Sequence, residues 1–181
     1  MRRLIRVGLI GSLILLTSPF PSSAASADVS ANVEQYRLRM YHLHTGERID
    51  VVYRVGDNYL PSAVAQLNRF LRDHRTGDEK DYDVKEFDLL RELMERLGHP
   101  NGEIDIVCGY RTPWSNNWLR QRGLGVALHS QHMEAKAIDV RIPGVSTATV
   151  RDTALAMQLG GVGYYASSDF VHLDVGRVRS W

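Results

Sequence analysis

Residues 128–144 read LHSQHMEAKAIDVRIPG, and this stretch places two histidines and an aspartate directly before an apolar run. His132 and Asp139 are seven residues apart, and the isoleucines and valine around Asp139 favour a strand rather than a helix. An imidazole and a carboxylate would then meet where a loop enters a strand. Two interpretations fit: the edge of a metal site, or a polar loop whose side chains are hydrogen-bonded near the core.

A second run, DFVHLDVG at residues 169–176, offers the third ligand that a metal site would need. His172 and Asp174 share one face of a strand by the two-residue period, and Asp169 lies three residues before His172. Two histidines and one carboxylate with an open fourth position are typical of a catalytic zinc site. On spacing alone, hydrogen-bonded polar residues without a metal remain the alternative.

The rest of the sequence predicts a mixture of strands and helices. A β-hairpin is predicted in YRLRMYHLHTGERIDVVYRVG (36–56), with its turn at Thr45-Gly46. Further strands are predicted in EIDIVCGYR (103–111), around 137–142 and in the last twenty residues. Helices are predicted from Pro61 toward Gly77, over 83–97, after Pro113, and from a Ser146 or Thr147 cap to Gly160-Gly161. This order predicts a single α+β domain, with a mainly antiparallel sheet flanked by helices.

The first 27 residues predict a secretory signal. Three arginines precede an apolar run from about Val7 to Leu16, and Ala25-Ser26-Ala27 has the form of a cleavage site. The run is shorter than the roughly 20 apolar residues of a membrane span, so no stable span is expected after cleavage. An uncleaved anchor is the alternative. We therefore expect residues 28–181 to form a domain exported to the periplasm by the Sec or the twin-arginine route.

The charge balance argues against one class of partner. With the three signal arginines set aside, the 22 basic residues become 19, against 21 acidic residues. This balance gives no support for nucleic-acid binding, and no polybasic patch indicates membrane binding.

Cys108 is the only cysteine, so an internal disulfide is excluded. Alternation predicts that Cys108 is a small buried strand residue, with a catalytic thiol as the alternative.

The opening stretch contains SQHMEAKAID (130–139), which resembles the S-x-H-x-x-G-x-A-x-D motif of the LAS group of zinc metallopeptidases. Within that group the chain looks like the YcbK-like (MepK-like) murein endopeptidases over essentially its whole length after the signal. The other matching segments are LHTGE (43–47), CGYRTPWSN (108–116), the full HSQHMEAKAIDVRIPG (129–144), GGVGYY (160–165) and FVHLDVGRVRSW (170–181). The resemblance implies the fold shared by Hedgehog and D-Ala-D-Ala peptidases, with residues 28–181 as a zinc metallopeptidase domain.

The resemblance also implies roles for individual residues. His132, Asp139 and His172 match the zinc-ligand positions, so Zn²⁺ is the expected cofactor. Arg111 matches the arginine that faces the scissile carbonyl, where it would stabilise the oxyanion.

Two acids compete for the role of general base. Asp169 matches the position of a glutamate that serves as the base in VanX-like relatives. Asp174 is the alternative base, or a residue that orients His172. Ala135 stands where the motif has glycine, and we expect this position to need a small residue rather than a positive φ.

These roles predict an exported zinc peptidase that hydrolyses peptide cross-links of peptidoglycan. The expected bonds are D-Ala–meso-diaminopimelate, with meso-diaminopimelate–meso-diaminopimelate as a variant, in peptidoglycan stem peptides. A D,D- or L,D-carboxypeptidase that trims stem peptides is the first alternative. A non-catalytic cell-wall-binding module of the same fold is the second. The chain is expected to act as a monomer.

Overall fold

The computed structural model describes residues 33–123 and 125–181, so the predicted signal at 1–27 lies outside the described residues. The strands are β1 Gln35–His42, β2 Arg48–Val55, β3 Asn58–Tyr59, β4 Glu103–Cys108, β5 Ala137–Arg141, β6 Gly161–Tyr165, β7 Phe170–Asp174 and β8 Arg179–Ser180. The helices are α1 Pro61–Phe70, α2 Lys85–Arg96, α3 Pro113–Gln121 and α4 Thr147–Met157. Short 3₁₀ turns lie at Gln131–Glu134 and Ala166–Ser168. No helix in this part of the chain has the length and apolar character to cross a membrane.

The eight strands form one sheet in the order β3-β2-β1-β4-β5-β7-β6-β8. The pairings β1–β4 and β6–β8 are parallel, and the five other pairings between these described strands are antiparallel. The predicted hairpin is present as β1 and β2, joined through the turn at Thr45-Gly46. The structure thus confirms the predicted α+β class and its mainly antiparallel sheet.

The hydrophobic core lies between one face of the sheet and helices α1, α2 and α4. Alternate residues of β1 point into it, and one stripe of α2 faces them, as the two periodicities predict. Burying each large apolar side chain contributes about 1.5–3 kcal/mol, so this layer supplies much of the folding free energy. Its fully buried members include Leu38, Met40, Phe87, Leu90 and Leu93. The opposite face of the central strands is left for polar residues.

Two helices end earlier than their sequences predict. Helix α1 stops at Phe70 because the chain beyond it is held by the segment that follows β4. The Leu71 carbonyl accepts from the Tyr110 N–H at 2.7 Å, and the Asp73 carboxylate accepts from the N–H and hydroxyl of Thr112, both at 2.8 Å. These long-range contacts outweigh the helical pattern that runs toward Gly77. Helix α4 ends at Met157, and Gln158 rather than a glycine adopts the left-handed conformation there.

Glu86 interrupts the apolar stripe of α2. Its side chain is fully buried, and neither carboxylate oxygen has a hydrogen-bond partner among the described residues. Burial, with the nearby Asp174 carboxylate, raises the pKa of Glu86 well above its usual range. The folded state therefore favours the protonated acid, and its stability falls as the pH rises above the pKa of an unfolded glutamate.

We expect Glu86→Met to raise the free energy of unfolding by about 1–3 kcal/mol at neutral pH, because it removes an unsatisfied polar group. Its advantage over the wild type should grow with pH above about 4.3, by at most about 1.4 kcal/mol per pH unit. Urea unfolding of both proteins at pH 5 and pH 8 measures the effect, with the exposed Glu95→Met as control. A Glu86→Met protein that is less stable than wild type at pH 8 contradicts this account.

Candidate metal centre

The register of the sheet brings two of the predicted ligands together. Asp139 of β5 lies directly opposite His172 of β7 in the antiparallel ladder. Residues opposite each other in such a ladder point to the same face, with Cβ atoms about 4.5–5.5 Å apart. The face in question is the one turned away from the core, since the neighbours Ile138 and Val140 belong to the core.

The third predicted ligand, His132, comes from the 3₁₀ turn that immediately precedes β5. Its Nε2 lies 3.2 Å from Asp139 Oδ1 and 3.1 Å from His172 Nδ1, and the latter atom is 2.9 Å from the same Asp139 oxygen. In a tetrahedral zinc site with bonds of 2.0–2.1 Å, ligand atoms are separated by about 3.4 Å. All three side chains are buried. The donor types and their spacing therefore fit a zinc ion.

Both imidazoles are oriented through their other nitrogen. The Nδ1–H of His132 donates to the Gly109 carbonyl at 2.8 Å, and the Nε2–H of His172 donates to Asp174 Oδ2 at 3.0 Å. Such partners fix the tautomer and the ring orientation of metal-binding histidines. The other nitrogen of each ring is thus turned toward Asp139, where it could bind a metal ion in place of a proton.

Asp174 is saturated by donors. Besides His172, its carboxylate accepts from the Arg179 guanidinium at 2.7 and 3.0 Å and from the backbone N–H groups of Gly161 and Gly176. Burial would raise the pKa of Asp174, but His172 and Arg179 outweigh it and hold that pKa below its usual range. Asp174 is fully buried. Of the two roles considered for it, this geometry favours the orientation of His172.

The electrostatics of the cluster favour a bound cation. Burial would lower the pKa of His132, but Asp139 and Cys108 outweigh burial and raise it to about 10. Burial would raise the pKa of Asp139, but His132 and His172 outweigh it and lower that pKa below its usual range. The negative electrostatic potential that keeps a proton on His132 would also attract a metal ion to the position of that proton.

Arg111 places a positive charge beside the cluster. Its side chain is 8% exposed, and Nη1 donates to Asn116 Oδ1 at 3.3 Å. Its Nη2 lies 3.4 Å from Cys108 Sγ and 4.0 Å from Asp139 Oδ2. Asn116 belongs to helix α3, and its side chain also donates to the Ala127 carbonyl. Asn116 is therefore fixed in place, and through it so is the Arg111 guanidinium. The structure therefore places Arg111 beside Asp139, in the cleft that the three predicted ligands also line.

Asp169 lies elsewhere. Its carboxylate accepts from the Thr147 hydroxyl at 3.1 Å and lies 3.9 Å from Arg141, and its side chain is 70% exposed. It does not contribute to the lining of the cleft over the cluster. Asp139 is the only acidic residue, among those that the structure describes, that lines this cleft. Of the predicted site residues, Asp169 is thus the one that the structure leaves outside.

An open cleft of about 780 Å³ lies over the cluster. His44 and His74 stack on each other there, with ring centroids 4.2 Å apart. His74 carries no motif that would single it out in the sequence, and only the early end of α1 brings it to the cleft. The lining also includes Arg75, Tyr165, Phe170 and Trp181.

Cys108 also lines the cleft, which alternation along β4 does not predict. The register against β5 shifts between Ile106 and Cys108, so that Ile106 pairs with Val140 but Cys108 pairs with Asp139. This β-bulge at Val107 turns the cysteine from the core face to the cleft face. The prediction that Cys108 is a small buried strand residue is confirmed.

Ala135 corrects a second expectation. It adopts the left-handed conformation, with φ 50° and ψ 46°, at the end of the 3₁₀ turn that carries His132. The position therefore does require a positive φ, and our expectation that a small residue suffices was wrong. It is also fully buried, so only alanine or glycine fits easily. A non-glycine residue in this conformation costs about 1–2 kcal/mol.

The sequence of this chain is similar to those of known peptidoglycan peptidases. Residues 30–181 match the family model described as Peptidase_M15_2: Peptidoglycan L,D-endopeptidase MepK. The chain is 37% identical to the peptidoglycan L,D-endopeptidase MepK of Escherichia coli K12, over 99% of this chain and 96% of the relative. It is 34% identical to the probable peptidoglycan L,D-endopeptidase MepK of Haemophilus influenzae, over 95% and 91% of the two chains. No solved structure matches.

We expect Ala135→Val to lower the free energy of unfolding by about 2 kcal/mol or more, since a β-branched residue at a buried positive φ is strongly strained. Ala135→Gly is the matched control. It should stay within about 1 kcal/mol of wild type, because relief of strain is offset by the greater freedom of the unfolded chain. Urea unfolding measures both. Equal stability of the valine variant and the wild type would contradict the strain at this position.

Proposed function

The chain belongs to the Peptidase_M15_2 (MepK) family, and from that premise we propose that it is a peptidoglycan endopeptidase that hydrolyses cross-links between stem peptides. The convergence of His132, Asp139 and His172 under an open cleft carries this proposal. The relatives are named L,D-endopeptidases. Of the two bonds expected from the sequence, the meso-diaminopimelate–meso-diaminopimelate link joins an L to a D centre. It is therefore the substrate bond that we propose first.

Zn²⁺ is the proposed cofactor, held by His132, Asp139 and His172. When bound, it lowers the pKa of a coordinated water toward about 7 and polarises a carbonyl group. The donor set supports zinc, since two imidazoles and one carboxylate at this spacing suit a tetrahedral ion with one open position. Asp174 and the Gly109 carbonyl would keep the two rings in place while the substrate changes.

Arg111 is the proposed electrostatic stabiliser of the transition state. Its guanidinium is buried, is anchored by Asn116 and lines the cleft next to Asp139. A fixed positive charge in a largely buried site stabilises the negative charge that develops on the carbonyl oxygen. Because Arg111 is already in position, little reorganisation is needed when the reaction begins.

The proposed place of action is the periplasm, because the proposed substrate lies outside the cytoplasm and residues 1–27 have the pattern of an export signal. The segment 28–181 is the proposed peptidase domain. We propose a monomer, since the three ligands and Arg111 come from one chain.

The proposed function is tested by digestion of cross-linked muropeptide dimers with the purified, zinc-loaded protein. We expect dimers to be converted into monomers, a chelator to abolish the conversion, and added zinc to restore it. His132→Ala should be inactive, whereas His99→Ala, which changes an exposed histidine outside the cleft, should resemble wild type. Release of single terminal residues from monomeric stem peptides, with dimers left intact, would support the carboxypeptidase alternative instead.

For the general base, Asp169 is proposed from its position three residues before His172. The contacts of its carboxylate oppose this role, because it must leave Thr147 and Arg141 and turn into the cleft before it can reach a water there. The left-handed Asp169 ends a short surface turn, which is where such a movement would occur.

If Asp169 is the base, Asp169→Asn should lower turnover by about 10²–10⁴-fold while leaving the bound zinc in place. Turnover and metal content are measured on the same preparations, with Asp152→Asn as a control at another exposed aspartate. Full activity of Asp169→Asn would remove this residue from the mechanism.

A further inference from the structure

Cys108 extends the row of cleft-facing residues by one strand. The bulge at Val107 places it opposite Asp139, and Asp139 is opposite His172, so the three residues lie side by side across β4, β5 and β7. Had the ladder continued without the bulge, Val107 would face Asp139 and the thiol would point into the core. The local irregularity of β4 therefore has one clear effect, which is to bring sulfur to the cluster.

The Cys108 sulfur contacts the Arg111 guanidinium, and as a thiol it donates to the Gly109 carbonyl at 3.6 Å. Cys108 Sγ lies within 4.8 Å of the ligand atoms of His132 and Asp139, and these atoms together could hold a metal ion. The Arg111 guanidinium lies 3.4 Å from the sulfur, and a neighbouring cation favours the thiolate form. The side chain is 7% exposed and lines the cleft, so it faces the position where a metal would be held rather than bulk solvent.

We propose that the Cys108 thiolate is a fourth ligand to the metal of this site, together with His132, Asp139 and His172. This inference rests on the metal centre proposed above and adds a regulatory feature to it. Four protein donors make a closed tetrahedral shell, which is the pattern of structural zinc, whereas a catalytic site keeps one position open. The resting protein is thus in a closed form, and water or substrate must displace the sulfur to form the open one.

Formation of the closed form involves no oxidation or reduction. The thiol proton passes to solvent as the sulfur–metal bond forms, and displacement of the sulfur by water breaks that bond. On release, Arg111 remains within hydrogen-bond distance of the sulfur and can balance its charge. The same guanidinium therefore serves the thiolate in the open form and the substrate carbonyl during hydrolysis.

The test is the absorption spectrum of the protein with Co²⁺ in place of zinc. A thiolate bound to cobalt gives sulfur-to-metal charge-transfer absorption in the near ultraviolet, whereas nitrogen and oxygen ligands give only the weaker visible bands. Because Cys108 is the only cysteine, any such absorption comes from this residue. We expect it in wild type and its loss in Cys108→Ser and Cys108→Ala. Chelator competition should show at least about tenfold weaker zinc binding by Cys108→Ala.

The possible outcomes separate this proposal from the metal centre itself. Visible cobalt bands without the charge-transfer absorption in wild type would overturn the Cys108 ligand and leave the three-ligand centre standing. Absence of stoichiometric cobalt binding by wild type and by Cys108→Ser would overturn both. His172→Ala is the control for the site, since it should weaken cobalt binding even with the cysteine present. Thermal unfolding of the metal-free variants shows whether each of them is folded.

Discussion

The pairing of β5 with β7 is the constraint on which the rest of the site depends. It sets Asp139 opposite His172, and no loop has to adopt a special conformation for these two to meet. The same cross-strand row continues to Cys108 on one side and to Gly163 on the other. Shifting either strand of this pair by one residue would turn its member of the row into the core. Apolar neighbours such as Ile138 and Val140 must point into the core. Because side chains alternate along a strand, this requirement turns Asp139 toward the cleft.

Around the row, each polar group contacts a second group of opposite charge or complementary hydrogen-bonding character. The donor atoms of the cluster are held by Asp174 and the Gly109 carbonyl, and Asp174 is in turn held by Arg179. Each buried charge therefore has a partner, which keeps its desolvation cost low. Glu86 is buried without a hydrogen bond, and burial and Asp174 raise its pKa, so the folded protein favours its uncharged form.

The sequence predicted those parts of the molecule that follow from a regular period or from a motif. The hairpin, the apolar stripe of α2 and the alternation around Asp139 and His172 all appear in the structure as expected. The sequence did not predict the features that depend on contacts between distant segments. The early end of α1 depends on Asp73 meeting Thr112, and the position of Cys108 depends on a bulge that alternation does not reveal.

The conformations of Ala135 and Asp169 have the same origin. The positive φ of Ala135 follows from the tight turn that carries His132, although alanine has no intrinsic preference for it. The direction of Asp169 follows from Thr147 and Arg141, which lie more than twenty residues away in the sequence. Motif position identified both residues, but only the packing of neighbouring segments decides their conformations.

The cross-strand row of Cys108, Asp139 and His172 also bears on when the site forms during folding. Its members come from β4, β5 and β7, and the indole of Trp181, residue 181 of the chain, packs over Gly163 and beside His172. A chain that is still extended, or that has formed only the β1–β2 hairpin, has no assembled set of donors. The candidate metal centre therefore forms only with the completion of the sheet, and a partly folded chain would lack it.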